Sequence, residues 1–419
     1  MPLFRTSSNT RINQRHPKTS GHAMKHYLIA AAAASVCGAS MAADGPEFKF
    51  SGFGTVSAVH SNSDNSDFVG SIFQPNGAGM TNSWSLAPDS KLGGQINAVF
   101  NPQWSAVVQV VSQHQYNNSY NPMVEWANVK YQATDKLSLR LGRIATPSYL
   151  LSESRFVGYA TPWVRPPQEA YSVLSITNND GIDGTYRSQI GSANNTLQVY
   201  YGASTAKIPN GGEVKGHPSW GVNESVDIGS WTLRAGYTSV KLDTDIPSFA
   251  GLFSGLAALA PDLALKYKAN RLDLSALALG ATYDPGDWFL MSELVEFKGD
   301  SFLSDSTSWY VSAGYRFGKF TPYVTLGGTK AHVEPEAPGG LFGINDGLNT
   351  ALYSATPTQK TASVGIRWDF MKNMALKAQY DKIDTGSQSH GRLLVPQTGS
   401  TFKNGSSVDV VTVALDFVF

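Results

Sequence analysis

Period-two alternation recurs from Phe48 to the last residue and limits the folds open to this chain more than any other feature. In "FKFSGFGTVSAV", Phe48, Phe50, Gly52, Gly54, Val56 and Ala58 share one parity, against Lys49, Ser51, Thr55 and Ser57. Leu92, Ile96, Ala98 and Phe100 alternate with Lys91, Gln95 and Asn97, and Leu137, Leu139 and Leu141 with Ser138 and Arg140. The pattern returns around Trp231 to Tyr237, Trp309 to Phe317, Ala362 to Phe370 and Leu376 to Tyr380, and closes on Val411, Val413, Leu415, Phe417 and Phe419. Successive side chains of a strand point to opposite faces, so each segment reads as a strand with one apolar and one polar face. Beyond the first residues, no apolar run is long enough for a membrane-spanning helix.

The connections alternate in length. Tight-turn residues stand at Asn101-Pro102, Thr134 to Lys136, Ser192 to Asn195, Gly229-Ser230, Asp284 to Asp287, Gly318-Lys319 and Lys372-Asn373. Long polar connections are predicted at 61–89, 115–122, 144–180, 204–218, 242–270, 298–307, 330–359 and 382–406. Within the loop over 242–270, the spacing from Ser248 to Lys268 is helical, interrupted by Pro261, which predicts an insertion packed on neighbouring loops. Regular long–short alternation predicts an all-β, antiparallel, up-and-down barrel of about sixteen strands, with turns at one rim and loops at the other. Both termini then lie on the turn side.

A soluble sandwich also alternates, with its apolar face forming a core. Three features favour a barrel in lipid. The strands are too many and too long for one sandwich, and the polar parity carries charge at Arg140, Arg234, Arg316 and Arg367. Aromatic residues also gather near the ends of the apolar parity (Trp104, Trp231, Trp309, Tyr283, Tyr315, Phe317), as expected at membrane interfaces. A sheet crossing hydrocarbon must close, because an open edge leaves backbone groups unpaired.

The segment "MKHYLIAAAAASVCGASMAADG" has the basic start, short apolar stretch and small-residue cleavage pattern of a secretory signal. Residues 1–42 are therefore predicted to be an extended n-region plus signal peptide, with Met24 the natural start and cleavage after Ala42, leaving a single barrel over 43–419. Cleavage removes Arg5, Arg11, Arg15, Lys18, Lys25 and the one cysteine, Cys37. The remaining chain is mildly acidic, which suggests no nucleic-acid partner, and has no thiol for a disulfide or metal. No phosphate loop, dinucleotide fingerprint or metal-binding His pair occurs. Ser112 and His114 share a strand face, as a barrel hydrolase could use, and Asp64 and Asp67 in "SDNSD" are spaced as calcium ligands could be. Neither motif is complete, and the chain is read as non-enzymatic and without cofactor or metal.

The motifs "VALDFVF" ending on Phe419, "YRFGKFTPYVTLG", "TASVGIRWDF", "MALKAQYDK" and "LSLRLGR" resemble those of the Gram-negative general porins. The resemblance implies a trimeric, sixteen-stranded outer-membrane barrel with short periplasmic turns and long extracellular loops, through which small hydrophilic solutes diffuse passively. It also implies contact with outer-membrane lipid and lipopolysaccharide, and recognition of the final strand and Phe419 by the barrel assembly machinery. The third long loop of the family folds inward as a constriction. Its match here is 144–180, carrying Glu153, Arg155, Arg165 and Glu169 and stiffened by Pro162, Pro166 and Pro167. The family's acidic turn has no recognisable counterpart. Opposite the loop, the polar parity offers a basic wall of Lys130, Arg140, Arg187, Arg234, Arg316, Arg367 and Lys377, with Arg143 at the loop entrance. Loop carboxylates facing these cations would set a transverse field that filters permeants by charge, with Arg234 and Arg367 expected to set ion preference. The competing readings are a substrate-specific channel (sugar, phosphate or carboxylate), of sixteen or eighteen strands, and a plugged structural or adhesive barrel.

Overall fold

Two-faced strands are stable when their faces meet different media and both backbone edges are paired. The computed structural model describes residues 45–419 except 356, so the predicted leader over 1–42 lies outside the described residues. Sixteen strands meet these conditions in one closed barrel. They are β1 (Glu47–Ser61), β2 (Lys91–Val99), β3 (Trp104–Gln113), β4 (Met123–Gln132), β5 (Leu137–Ala145), β6 (Asn178–Ile190), β7 (Ala193–Ile208), β8 (Gly212–Ile228), β9 (Trp231–Asp245), β10 (Leu272–Tyr283), β11 (Trp288–Lys298), β12 (Asp305–Tyr315), β13 (Phe320–His332), β14 (Gln359–Met371), β15 (Met374–Thr385) and β16 (Ser407–Val418). Every strand is antiparallel to its sequence neighbours. The edge is removed where β1 pairs with both β2 and β16, in the second case with Val56 opposite Leu415.

The parity read from the sequence is the parity of the wall. Phe50, Val56, Leu141, Val324 and Leu326 point outward and are each more than half exposed, as side chains meeting hydrocarbon must be in an isolated barrel. Their neighbours Thr55, Ser57, Thr325 and Asp416 turn inward and are buried. The terminal ladder continues this outer face. The rings of Phe417 and Phe419 lie over Gly54 and Gly52, where an added Cβ would come within 2.3 Å of each ring. The backbones of Gly52 and Phe419 exchange hydrogen bonds of 2.8 and 3.0 Å. At the short-turn rim, aromatic pairs form a girdle: Trp104–Tyr131, Trp231–Tyr283, Tyr315–Phe317 and Phe320–Trp368.

Two boundaries differ from expectation. The chain turns between Ile190 and Ala193 rather than at 192–195, and 204–218 is not a long loop. There β7 and β8 run on as a paired hairpin, joined at Pro209–Gly211, with a register shift between Gly202 and Ser204. Turn-forming residues here (Pro209, Asn210, Gly211, Pro218) mask the outer portions of these strands. The predicted helical insertion is present as α1 (Pro247–Leu259) and α2 (Pro261–Lys266). Leu256 packs there with Tyr267, Phe302, Leu348 and Leu352, the last two belonging to a further loop helix at Ile344–Ala355. On the same rim, Asp67–Phe68, Ala78–Gly79 and Leu394–Val395 pair into a small sheet. Its Phe68, Ala78 and Leu394 pack on inward-facing Val59, Val408 and Val410.

Candidate functional site

The connection from β5 to β6 has too many large apolar residues for a solvated loop. Tyr149, Trp163, Val164, Ala170 and Tyr171 are all buried. They find a surface on the inner wall, where β10 to β13 present Ala276, Phe289, Val295, Tyr310 and Tyr323. Tyr149 and Tyr171 meet at a tilt of 33° with their centroids 4.7 Å apart, and Trp163 meets Tyr310 edge-on at 5.8 Å. Glu293 of β11 accepts hydrogen bonds from the hydroxyls of Tyr171 (2.6 Å) and Tyr310 (2.9 Å) and from the Leu150 N–H (3.0 Å). The loop is thereby held inside the barrel.

Cations on the adjoining strands bind the far part of the loop. Lys377 of β15 donates from Nζ to the carbonyls of Gly158 (2.7 Å), Thr161 (2.8 Å) and Trp163 (2.7 Å), and pairs with Asp416 of β16 at 2.7 Å. Arg367 of β14 donates to the carbonyls of Tyr159 (2.6 Å) and Thr161 (3.0 Å), pairs with Asp369 and covers the Tyr159 ring. From the loop, Arg165 spans Asp89 (2.6 Å) and Asp381 (2.7 Å) and donates to Thr412 Oγ1. Burial alone would lower the Arg165 guanidinium, but the two carboxylates outweigh it and hold it above its ordinary range. Glu169 accepts from Gln359 Nε2 (2.7 Å) and from the Thr361 hydroxyl.

Gly158 lies hard against the wall. An added Cβ would lie 2.2 Å from Asp416 Oδ1 and 2.7 Å from Thr55 Oγ1. Gly158→Ala is therefore expected to push the tip off β16 and lower thermal stability by about 1–3 kcal/mol, the usual cost of overpacking. Calorimetric unfolding in detergent checks this, and an unchanged transition would refute the contact.

The predicted site residues fall into three groups. Arg165, Glu169, Arg367 and Lys377 are enclosed or bonded to the loop. Arg234 joins them by donating to the Pro147 carbonyl (2.6 Å) and to Ser225 (2.9 Å). Lys377, at 1% exposure, lines no open water. The second group faces the lumen. Arg140 forks onto Asp183 (2.5 Å) and reaches Glu153 (3.3 Å), whose side chain is 60% exposed. Lys130 stands beside Arg140 in register, Arg187 is exposed on the turn-side half of β6, and half-buried Arg155 donates to Tyr171 O. The third group is Arg316 alone. It is expected on the lumen wall but lies just past the end of β12, paired with Asp284 of the neighbouring turn at 2.7 Å. It belongs to the turn-side mouth because the strand stops at Tyr315.

Above the loop, on the long-loop side, a cavity of about 460 Å³ is lined by Lys91, Glu125, Arg143, Arg155 and Lys207. Glu125 is buried and accepts from Thr177 and Asn178, and Arg143 pairs with Asp180 at 2.7 Å. Among the described residues, Lys91, Arg155 and Lys207 have no ion-pair partner. Sequence reasoning missed Asp89, Asp381, Asp416, Thr412 and Glu293 as loop supports. For Thr412 and Asp416 the parity was available, since they alternate with the apolar ladder of β16. The hydrolase and calcium readings do not assemble. Ser112 donates to Tyr120 O, His114 contacts Asn118, and Asp67 accepts the N–H groups of Gly77 and Thr81.

A family model described as Gram-negative porin matches residues 29–388. No curated protein matches the chain in sequence. Among solved structures, the chain is similar to the anion-selective porin from Comamonas acidovorans, at 15% identity and a TM-score of 0.54, covering 89% of this chain and 100% of that one. OmpF of Salmonella typhi, solved in complex with daunomycin, is 14% identical with a TM-score of 0.52, covering 90% and 99%. OmpT of Vibrio cholerae in its trimer form is 13% identical with a TM-score of 0.52, covering 90% and 100%. At these identities the likeness to solved structures concerns the fold.

Proposed function

The chain belongs to the Gram-negative porin family, an outer-membrane channel family, and on that premise we propose that it forms a water-filled pore for passive diffusion of small hydrophilic solutes, with a preference for anions. The single observation that carries this reading is the charge left over once the loop is fastened. Arg165 consumes Asp89 and Asp381, and Lys377 consumes Asp416. Lys91, Arg155 and Lys207 remain around the loop-side cavity, with Glu125 as the opposing carboxylate. Lumen cations raise the local concentration of anions and lower their entry barrier. Further along, Lys130, Arg140 and Arg187 continue a basic track, which Glu153 and Asp183 neutralise in part. In this reading Glu153 and Arg155 are the loop charges that a permeant meets, whereas Arg165 and Glu169 hold the loop in place. The anion-selective Comamonas porin shares the fold, which is compatible with this sign of selectivity.

A homotrimer is the proposed assembly, by analogy with the trimer form of OmpT. Outer-membrane lipid and lipopolysaccharide would meet the apolar face, and the barrel assembly machinery would read the strand ending at Phe419.

Reversal potentials in planar bilayers under a potassium chloride gradient test the proposal. The wild-type sign is expected to favour chloride, and Lys91→Gln with Arg155→Gln to move it towards potassium. A cation-selective wild type, or a reversal potential unmoved by both substitutions, would refute it.

A further inference from the structure

Beside the basic cavity lies a second one of different character. It measures about 300 Å³ and is walled mainly by apolar side chains, including Leu174, Val214, Val240, Leu242, Leu274 and Phe302. The two cavities adjoin across shared lining residues, among them Phe73, Ser172 and Ile176. A cavity of this size suits a small organic molecule.

One cation lines the apolar cavity: Arg392, on the connection between β15 and β16. Its Nη1 donates to Ser172 O at 3.3 Å. Its Nε is shielded from water and has no hydrogen-bond partner, and among the described residues the side chain has no ion-pair partner. Burial draws the guanidinium down to about 10, so it remains charged at neutral pH. The side chain is half-buried with its Nε shielded and unbonded, and a carboxylate that accepts from the guanidinium would supply the missing partner.

We propose that this cavity binds amphiphilic organic monoanions, with the carboxylate on Arg392 and a compact apolar body of about six to eight carbons among the aliphatic side chains. Lys91, Arg155 and Lys207 would gather such anions into the basic cavity, from which Ser172 and Ile176 lead to the apolar one. The inference deepens the diffusion reading and rests on it only for the route by which solute arrives. It changes the expected selectivity from charge alone to charge combined with an apolar body.

The test is calorimetric titration of the detergent-solubilised full chain with cyclohexanecarboxylate, acetate and cyclohexanemethanol. Cyclohexanecarboxylate is expected to bind saturably and at least about ten-fold more tightly than either control, since each control loses one of the two interactions. Arg392→Gln should weaken it about ten-fold or more. Val240→Phe fills the cavity from β9 and should abolish binding with Arg392 in place, so the test survives if Arg392→Gln does not fold. Equal affinity for the three compounds, or binding unmoved by the substitutions, would overturn the proposal. Bilayer conductance separates the two readings. A conducting channel that does not bind cyclohexanecarboxylate overturns this inference alone. A protein that binds it with the stated selectivity yet stays silent supports this site and overturns the diffusion reading.

Discussion

Lys377→Met is expected to lower stability by about 3–5 kcal/mol, the usual cost of removing one partner from a buried ion pair, and to make single-channel currents larger and unsteady. The Lys377 ammonium has no access to water; its three N–H groups go to the carbonyls of Gly158, Thr161 and Trp163, and its charge faces the Asp416 carboxylate at 2.7 Å. Methionine fills similar volume but donates nothing, so Asp416 loses its counter-charge and the three carbonyls lose their link to β15 together, although Thr55 still donates to Asp416. The cheapest relief is for the tip of the loop to leave the wall so that water can enter. Thermal unfolding in detergent and bilayer recording read the two consequences. The double variant Lys377→Met/Asp416→Leu removes the stranded charge and should regain part of the stability, with currents still unsteady because the ammonium that ties these carbonyls to the wall is gone. Steady wild-type currents from a folded Lys377→Met channel would show that this contact does not hold the loop.

Arg165→Met is expected to be the most damaging single substitution in the loop. It strands two buried carboxylates, Asp89 on the connection before β2 and Asp381 on β15, and each broken buried pair costs about 3–5 kcal/mol. That sum is comparable to the whole stability of a typical domain, about 5–15 kcal/mol, so the expected outcome is a large loss of folded protein. The triple variant Arg165→Met/Asp89→Asn/Asp381→Asn removes the stranded charge and should restore folding. Refolding yield in detergent, followed by tryptophan fluorescence, is the measurement, and a normal yield for the single variant would refute the assignment. The contrast is Arg316→Gln at the turn-side mouth. Its pair with Asp284 is solvent-exposed and so worth about 0–1 kcal/mol.

The same geometry changes what neutralising Arg234 and Arg367 should do. On parity alone, both are wall cations that set ion preference. In the folded barrel Arg234 holds Pro147 and Arg367 holds Tyr159 and Thr161, so their loss should first loosen the loop.

Alternation carried most of the fold because it is a local property. Whether Val411, Val413 and Leu415 face one medium while Thr412 and Asp416 face the other follows from strand geometry and the lipid–water contrast. The hairpin over 204–218 was hidden because that contrast fades beyond the hydrocarbon band, where Pro209, Asn210 and Gly211 read only as turn residues. Arg316 was misplaced because parity does not say where a strand stops.

The chain by itself therefore determined the barrel, its run of about sixteen strands and which face is apolar, while the inward course of the loop over 144–180 was implied only by the resemblance. Only the tertiary structure decided which charges stay available to a permeant. Closure brings Arg165 to Asp381 and Lys377 to Gly158 across more than two hundred residues of chain. Pairing over such separations depends on the path of the inner loop, and no repeat of period two encodes that path.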